Sequence, residues 1–269
     1  MKPDLSTIRR IPWNKEPTAQ IICDLHYSDG SPSALAPRQV LKNIVGLLDE
    51  EDFIAIVAPE LEFYLCEQNL DPDLPLKTPI GKSGRREKGS RVFGIDAVNE
   101  FDDLTDDIYD YCEILKIGVD TLIHESGPSQ IEINLNHGDP LQLADQAFMF
   151  KRAVRQVALK HGIHATFMSK PYQGHPGSSM HIHQNIVSKK TNKNLFSDDN
   201  GNNTEEFFHF IGGLQTYLPD AMLFFAPYVN SYRRFVIDAS APINTHWGFE
   251  NRTVAFRIPS SKGDSRRIE

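Results

Sequence analysis

The run Ala58-Pro59-Glu60-Leu61-Glu62-Phe63-Tyr64-Leu65 constrains the fold more than any other, because it places two carboxylates on one face of a strongly apolar strand. Alternate side chains of a strand share a face, so Glu60 and Glu62 point together while Leu61, Phe63 and Leu65 point the other way into a core. Two acids side by side on a half-buried surface repel by roughly 4 kcal/mol at a few ångströms and an effective dielectric of about 20. Such a pair requires a proton, a cation or open water.

At 269 residues, 40% hydrophobic and 24% charged, the chain can bury one large core or two modest ones. A net charge of −8 and the lack of any Lys/Arg run longer than two argue against nucleic acid as a partner and favour a small substrate held by localised charges. Cys23, Cys66 and Cys112 lie too far apart for a zinc motif or a disulfide framework, which suits a reducing, cytoplasmic setting. The N-terminus lacks a signal-peptide apolar region and no stretch approaches the ~20 apolar residues of a membrane span, so no membrane partner is expected.

Along the chain, Thr18 to Leu25 reads as a strand, and Pro37 opens a helix with Val40, Leu41, Ile44, Leu47 and Leu48 at helical spacing. The Glu-Leu-Glu strand spans about Phe53 to Leu65, and the Pro- and Gly-bearing stretch from Glu67 to Arg91 reads as a long surface loop. An acidic amphipathic helix follows over Asn99 to Ile117, stopped by Gly118. Next come a hairpin from about Val119 to Leu135 turning at Gly127-Pro128, and a helix from Pro140 to His161. The remainder is strand-rich at Ile163–Met168, Ser178–Val187, Phe235–Asp238 and Thr253–Ile258, interrupted by a helix over Thr204–Leu218. Strands with inserted helices, without strict β-α alternation, predict an α+β fold with a mostly antiparallel sheet.

The hairpin's second strand alternates polar Gln130, Glu132 and Asn134 with apolar Ile131, Ile133 and Leu135, and Glu125 and Glu132 flank its turn, where they can face one another. In Ser179-Met180-His181-Ile182-His183-Gln184-Asn185 the same alternation puts both imidazoles on one face. Carboxylates with imidazole suit Mg²⁺ or Mn²⁺ used with a phosphate substrate. Each piece alone is better explained by a solvated face or a satisfied polar patch; together, on strands otherwise apolar, they favour a polynuclear metal site if the strands are neighbours. Near the C-terminus lie Asn230-Ser231-Tyr232-Arg233-Arg234, then Asn251-Arg252, with Arg252 and Arg257 bracketing a strand, then Arg266-Arg267-Ile268-Glu269. Arginine grips phosphate and carboxylate oxygens bidentately, so the combination implies ATP-dependent chemistry on a carboxylate. No P-loop sequence is present to hold the nucleotide.

In order, Glu60-Leu61-Glu62, His124-Glu125 with Gln130-Ile131-Glu132, Gly177 to His183, Asn230 to Arg234, Asn251-Arg252 and Arg266 to Glu269 resemble the successive signatures of the glutamine synthetase superfamily. The resemblance implies a glutamine synthetase/guanido kinase-like catalytic domain, a curved antiparallel sheet with flanking helices, lining a funnel that holds two or three Mg²⁺ or Mn²⁺ ions, ATP and glutamate. Carried over by motif, it implies Glu62, Glu125 and Glu132 as ligands of a first metal and Glu60, His181 and Glu269 of a second. It further implies His183 and Arg267 at the nucleotide, Gly177 and Arg234 at the glutamate head, and Arg252 and Arg257 as the arginines of phosphoryl transfer. The reaction implied is phosphorylation of the glutamate γ-carboxylate by ATP, then displacement of phosphate by a nitrogen nucleophile.

Ammonia-using members of the family carry a glutamate six residues after the position matched by Arg234, where this chain has Ser240. That departure, with the wording Gly177 to Gln184 and Trp247 to Arg252, looks more like the γ-glutamylpolyamine synthetase branch, which implies an amine such as putrescine over ammonia. The family also implies a ring-shaped homo-oligomer, a β-grasp domain before the equivalent of Thr18 and a helical part after the Arg-Arg-Ile-Glu motif. The expectation is therefore a lead-in over residues 1–17 and a catalytic domain over 18–269 without those flanking parts, with a last-residue ligand that frays unless tied down. A non-catalytic scaffold relative is the contrasting reading, and a guanidino-kinase-like phosphotransferase a third.

Overall fold

The computed structural model describes residues 1–237, 241–261 and 263–269. The stretch from Thr18 to Leu25 is two short strands, not one. β1 (Lys2–Pro3) pairs with β4 (Cys23–Asp24) and β2 (Arg9–Arg10) with β3 (Ala19–Gln20), both antiparallel. Between β1 and β2 a 3-10 turn at Leu5–Thr7 breaks the partner, leaving only two residues at a time extended alongside. Helix α1 (Pro37–Glu50) opens on its proline, where the missing N–H costs nothing. From α1, Arg38 reaches three carboxylates, Asp4 and Asp24 at 2.6 Å and Asp145 at 2.9 Å, and so ties the first residues, β4 and the later helix α4 to α1.

β5 (Phe53–Glu67) is followed by a long segment with little regular structure, then α2 (Ile95–Asn99), α3 (Asp102–Leu115), the hairpin β6 (Val119–His124) and β7 (Gln130–Leu135), α4 (Pro140–Lys160) and β8 (Ile163–Thr166). β9 (Met180–Ser188), α5 (Glu205–Tyr217), α6 (Met222–Phe225), β10 (Trp247–Phe249) and β11 (Phe256–Ile258) complete the order. The helix expected from Asn99 starts at Asp102, after the separate turn of α2. It ends with Lys116 in the left-handed region (φ 57°), two residues before Gly118. Asp139 caps α4 by accepting the Gln142 N–H at 2.9 Å.

The α+β fold rests on a five-stranded antiparallel sheet, and among the described residues only the two-stranded β10–β11 pair is parallel. β5 organises it. Glu60 is paired with Asn134 of β7 and with His181 of β9 at once, so these strands lie on opposite edges of β5. β5 has 15 residues, enough for β9 (along Phe53–Leu61) and β8 (along Tyr64–Glu67) to share one edge end to end. Leu61, Phe63 and Leu65 face a buried core completed by Leu104 and Ile108 of α3, Ile131 and Ile133 of β7, and Phe150 and Val154 of α4. A second core joins Ile186 of β9 to Phe196, Phe207 and Ile211, and to Phe256, Ile258 and Ile268.

Two expected strands differ. Phe235–Ile237 follow a 3-10 helix at Val229–Arg234 and pair with no strand among the described residues, while Asp238, Ala239 and Ser240 lie outside those residues. Of Thr253–Ile258 only β11 is extended, because Asn251 Oδ1 accepts the Thr253 N–H at 2.9 Å and its hydroxyl at 2.7 Å and turns the chain there. Arg252 therefore sits in a turn, and Arg257 lies within β11 instead of bracketing it.

Candidate active site

Directly opposed residues of paired strands share a face, so Glu60, Glu62 and Tyr64 of β5, Gln130, Glu132 and Asn134 of β7, and His181 and His183 of β9 line one surface of the sheet. The registers put Glu62 opposite Glu132 and Tyr64 opposite Gln130. This surface is the reverse of the apolar one, which is why the alternation in β5 had to carry both a core and a site.

Ligand atoms of Glu60, His181 and Glu269 lie within 4.8 Å of one another, and so do those of Glu62, Glu132 and His181. The two groups share His181. Glu125, expected beside Glu62 and Glu132, is in neither; its Oε2 accepts the Ser126 N–H at 3.0 Å. It shares the face with Glu132 but does not stand directly opposite it. The tight turn, with Ser129 at φ 58°, pairs Glu125 with Gln130 and places Glu132 opposite Ile123. Glu125 still feels the cluster: burial and the Glu62 charge push its carboxyl up.

Crowding decides the electrostatics. Glu62 and Glu132 are only 8% and 6% exposed. Burial, then the charges of Glu60, Glu62 and Glu125, push the Glu132 carboxyl up to about 8, so without a cation it keeps a proton near neutrality. Glu60 goes the other way. Burial raises it, but hydrogen bonds with His181 Nδ1 (3.1 Å) and His183 Nε2 (2.8 Å) outweigh that and hold it well below the usual carboxylate range. At His181 burial favours the neutral ring, and the bond to Glu60 with the charges of Glu62 and Glu269 overcomes it and raises the pKa. Glu62 is held at both oxygens, by Ser179 and by Gln130 Nε2 at 3.1 Å. Carboxylate and imidazole donors around an excess of buried negative charge fit hard divalent cations such as Mg²⁺ and Mn²⁺.

Glu269 is tied to its neighbours. Its backbone exchanges two 2.9 Å hydrogen bonds with Arg257, Ile268 exchanges two more with Gln184 of β9, and its carboxylate pairs with the Arg257 guanidinium. His183 has a defined tautomer. Arg267 Nε donates to its Nδ1 at 3.2 Å, so the ring proton sits on Nε2 and is donated to Glu60. A protonated Nε2 is a poor metal ligand and a good phosphate donor, which separates His183 from His181.

Gly177 and Arg234 meet at the far end of this surface. A Cβ at 177 would lie 2.5 Å from the Ser169 carbonyl and 2.7 Å from Arg234 Nε, so only glycine lets the arginine lie flat there. Burial lowers the Arg234 pKa, opposed by the Glu62 charge, and among the described residues its guanidinium has no hydrogen-bonded partner. Asn230 fixes the neighbouring loop, accepting the Lys170 N–H at 2.7 Å and donating to its carbonyl at 3.0 Å. Arg252 is exposed. The loop after β5 also reaches the site. Glu87 accepts the Ser129 N–H at 2.6 Å and lies 2.9 Å from His124 Nε2, and His124 Nδ1 lies 2.8 Å from the Glu125 carbonyl. Sequence alone singled out neither Glu87 nor Tyr64, and gave Asn230 only as part of a signature, with no role of its own. Gln130 and Asn134 were legible as polar partners of Glu132 but had no assigned role.

The sequence profile of the glutamine synthetase catalytic domain matches residues 34–269. The chain belongs to the glutamine synthetase family. Curated relatives in the family include the gamma-glutamylputrescine synthetase PuuA of Escherichia coli K12, 36% identical over 269 residues, 99% of this chain and 57% of that protein. A glutamine synthetase of Pyrococcus abyssi is 34% identical over 268 residues, 100% of this chain and 57% of that protein. A glutamate–isopropylamine ligase of a Pseudomonas species is 30% identical over 272 residues, 99% and 58%. Among solved structures, GmaS in complex with ADP superposes with a TM-score of 0.82 at 28% identity, covering 99% of this chain and 60% of that one. The chain thus spans well under two thirds of these relatives' lengths. No helix among the described residues is long and apolar enough to cross a membrane.

Proposed function

We propose that residues 18–269 form the catalytic domain of an ATP-dependent ligase that joins the γ-carboxylate of glutamate to an amine, with residues 1–17 as a lead-in clasped to it. The observation that carries this reading is the pair of three-donor groups, Glu60/His181/Glu269 and Glu62/Glu132/His181, on one sheet face, with Arg257 and Arg267 at one end and Arg234 at the other. A purely structural descendant has no need to keep buried, mutually repelling carboxylates. Glu62 and Glu132, with Glu125 at their margin, would hold one Mg²⁺ or Mn²⁺ and Glu60, His181 and Glu269 a second. Bound there, the cations supply neutralisation of charge on phosphate and carboxylate oxygens.

The remaining roles follow from the side chains. His183, its Nε2–H fixed by Arg267, offers a donor to a nucleotide phosphate, and Arg267 a cation beside it. Arg234, half-buried and without a hydrogen-bonded partner among the described residues, receives the glutamate α-carboxylate next to the Gly177 backbone. The γ-carboxylate oxygen takes the ATP γ-phosphoryl group and releases ADP; the amine nitrogen then attacks the acyl carbon, phosphate leaves and the nitrogen gives up a proton. Arg252 and Arg257 stabilise the charge that builds on the transferred group and on the departing phosphate. Ser240 stands where ammonia-using relatives carry a glutamate, and the similar proteins named for putrescine and isopropylamine support an amine substrate; a homo-oligomeric ring that completes the site belongs to the same proposal.

Glutamate-dependent ADP release with Mg²⁺, compared across putrescine, other polyamines, monoamines and ammonia at matched free-base concentrations, tests this. Stimulation by an amine and not by ammonia is expected. Turnover driven by ammonia alone would return the chain to glutamine synthesis, and absence of turnover in the chain supplied with its ring partners would overturn the ligase reading.

A further inference from the structure

A ligase of the proposed kind must hold both ends of one substrate, the amino-acid head at Gly177 and Arg234 and the reacting carboxylate above Glu62 and Glu132. The separation of these points depends on how residues 176 and 177 are mounted on the sheet. Two side chains make the mount. Tyr64 of β5 and Gln130 of β7 are directly opposed cross-strand partners, 0% and 1% exposed. The Tyr64 hydroxyl donates to the Pro176 carbonyl at 2.8 Å, and Gln130 Nε2 donates to the Gly177 carbonyl at 3.0 Å, so the pair grips successive carbonyls.

Gln130 does more than hold the loop. The same Nε2 donates to Glu62 Oε2 at 3.1 Å, and its Oε1 accepts the Gly127 N–H at 2.9 Å, so one buried amide spans the metal-side carboxylate, the head-side carbonyl and the hairpin turn. Both amide hydrogens are used, and without them Glu62 and the Gly177 carbonyl would lose buried donors. Gly127 packs directly on the Tyr64 hydroxyl, where a Cβ would come within 1.8 Å of it, so the tyrosine has no room to shift. The mount is thus stiff at each contact and connects the two substrate ends through side chains alone.

Resting on the ligase reading, we propose that the Tyr64–Gln130 pair is a positioning device that sets the chain length of the amino-dicarboxylate substrate, selecting glutamate over its four-carbon and six-carbon homologues. A misfit of one methylene is worth about 10- to 200-fold in discrimination when the site is rigid. Releasing either carbonyl lets the head site move relative to Glu62 and lowers that discrimination.

The test is calorimetric binding of glutamate, aspartate and 2-aminoadipate, in the presence of Mn²⁺ and ADP, to the wild-type protein, Tyr64→Phe and Gln130→Met. The wild type is expected to prefer glutamate by about 100-fold, and each variant to lose about 10-fold or more of that preference while ADP affinity stays unchanged. A merely structural role would weaken all three acids together. Tyr64→Phe removes one oxygen and keeps the ring, so it remains informative if Gln130→Met does not fold. Selective wild-type binding with an unchanged ratio in the folded variants overturns the mount and leaves the ligase reading intact; a wild type that binds none of the three acids overturns both.

Discussion

Replacing Glu132 by glutamine is expected to change metal affinity and metal-free stability in opposite directions. Glu132 lies opposite Glu62, 6% exposed, with its carboxyl pushed from an ordinary 4.5 up to about 8 by burial and the surrounding acids. The folded protein therefore holds a proton that the unfolded chain releases above about pH 4.5. That stability is fully present below 4.5 and is lost as pH rises through about 8. At about 1.4 kcal/mol per pH unit the loss has an upper bound of about 5 kcal/mol, and coupling among the four carboxylates reduces it. The amide has no charge to desolvate. In EDTA at pH 8 the variant should unfold at higher urea than the parent, by on the order of 2–3 kcal/mol, and its advantage should vanish near pH 4.5. With Mn²⁺ the order reverses, because the variant loses an anionic ligand and at least about 100-fold in affinity. Equal urea midpoints for parent and variant in EDTA across this pH range would remove the argument from buried charge.

Arg38→Met should be strongly destabilising although it lies outside the acid face. The Arg38 side chain is 15% exposed and its guanidinium ion-paired with Asp4, Asp24 and Asp145, whose side chains are 24%, 14% and 15% exposed. Methionine keeps the aliphatic packing and strands three carboxylates around it, with Lys42 left beside Asp24. Removing one member of a buried ionic cluster costs about 3–5 kcal/mol, and partial exposure here lowers the expected loss to about 2–4 kcal/mol. Urea unfolding at pH 7 should show that loss, with Arg38→Lys intermediate because an ammonium cannot fork among three acids. Asp4, held down to about 2 by Ser6 and then Arg38, contributes stability above its ordinary 3.8 that is lost as pH falls through about 2. In the variant that acid limb should therefore flatten. An unchanged midpoint would mean that the first residues are not clasped to the domain through Arg38.

The features legible in the sequence are those with strong periodicity. Glu60 and Glu62 alternating with Leu61, Phe63 and Leu65 fixed β5, its two faces and the core beneath it, the helical spacing around Leu41 and Leu104 fixed α1 and α3, and the stretch from Pro140 to His161 was legible as α4, each to within a few residues. What alternation leaves open is register. The pairing of Glu125 with Gln130, and therefore its distance from Glu132, depends on one left-handed serine in the turn, and nothing in the local pattern distinguishes the two arrangements. Short elements with few apolar residues, such as β3, β4 and β11, were drawn too long because side chains and turns in distant segments decide where they stop. Tyr64 and Gln130 were hidden for a related reason: each reads as an ordinary member of its own strand until the strands are paired. Glu269 is held by bonds to Arg257 and Gln184 that pattern alone does not reveal.

The most direct measurement is anomalous scattering at the manganese edge from crystals grown with Mn²⁺ and ADP. Two peaks are expected on the acid face, one between Glu62 and Glu132 and one among Glu60, His181 and Glu269, with the first lost in Glu132→Gln. Well-ordered crystals with no anomalous peak on that face, or with manganese only at exposed carboxylates elsewhere, would contradict the metal-dependent ligase.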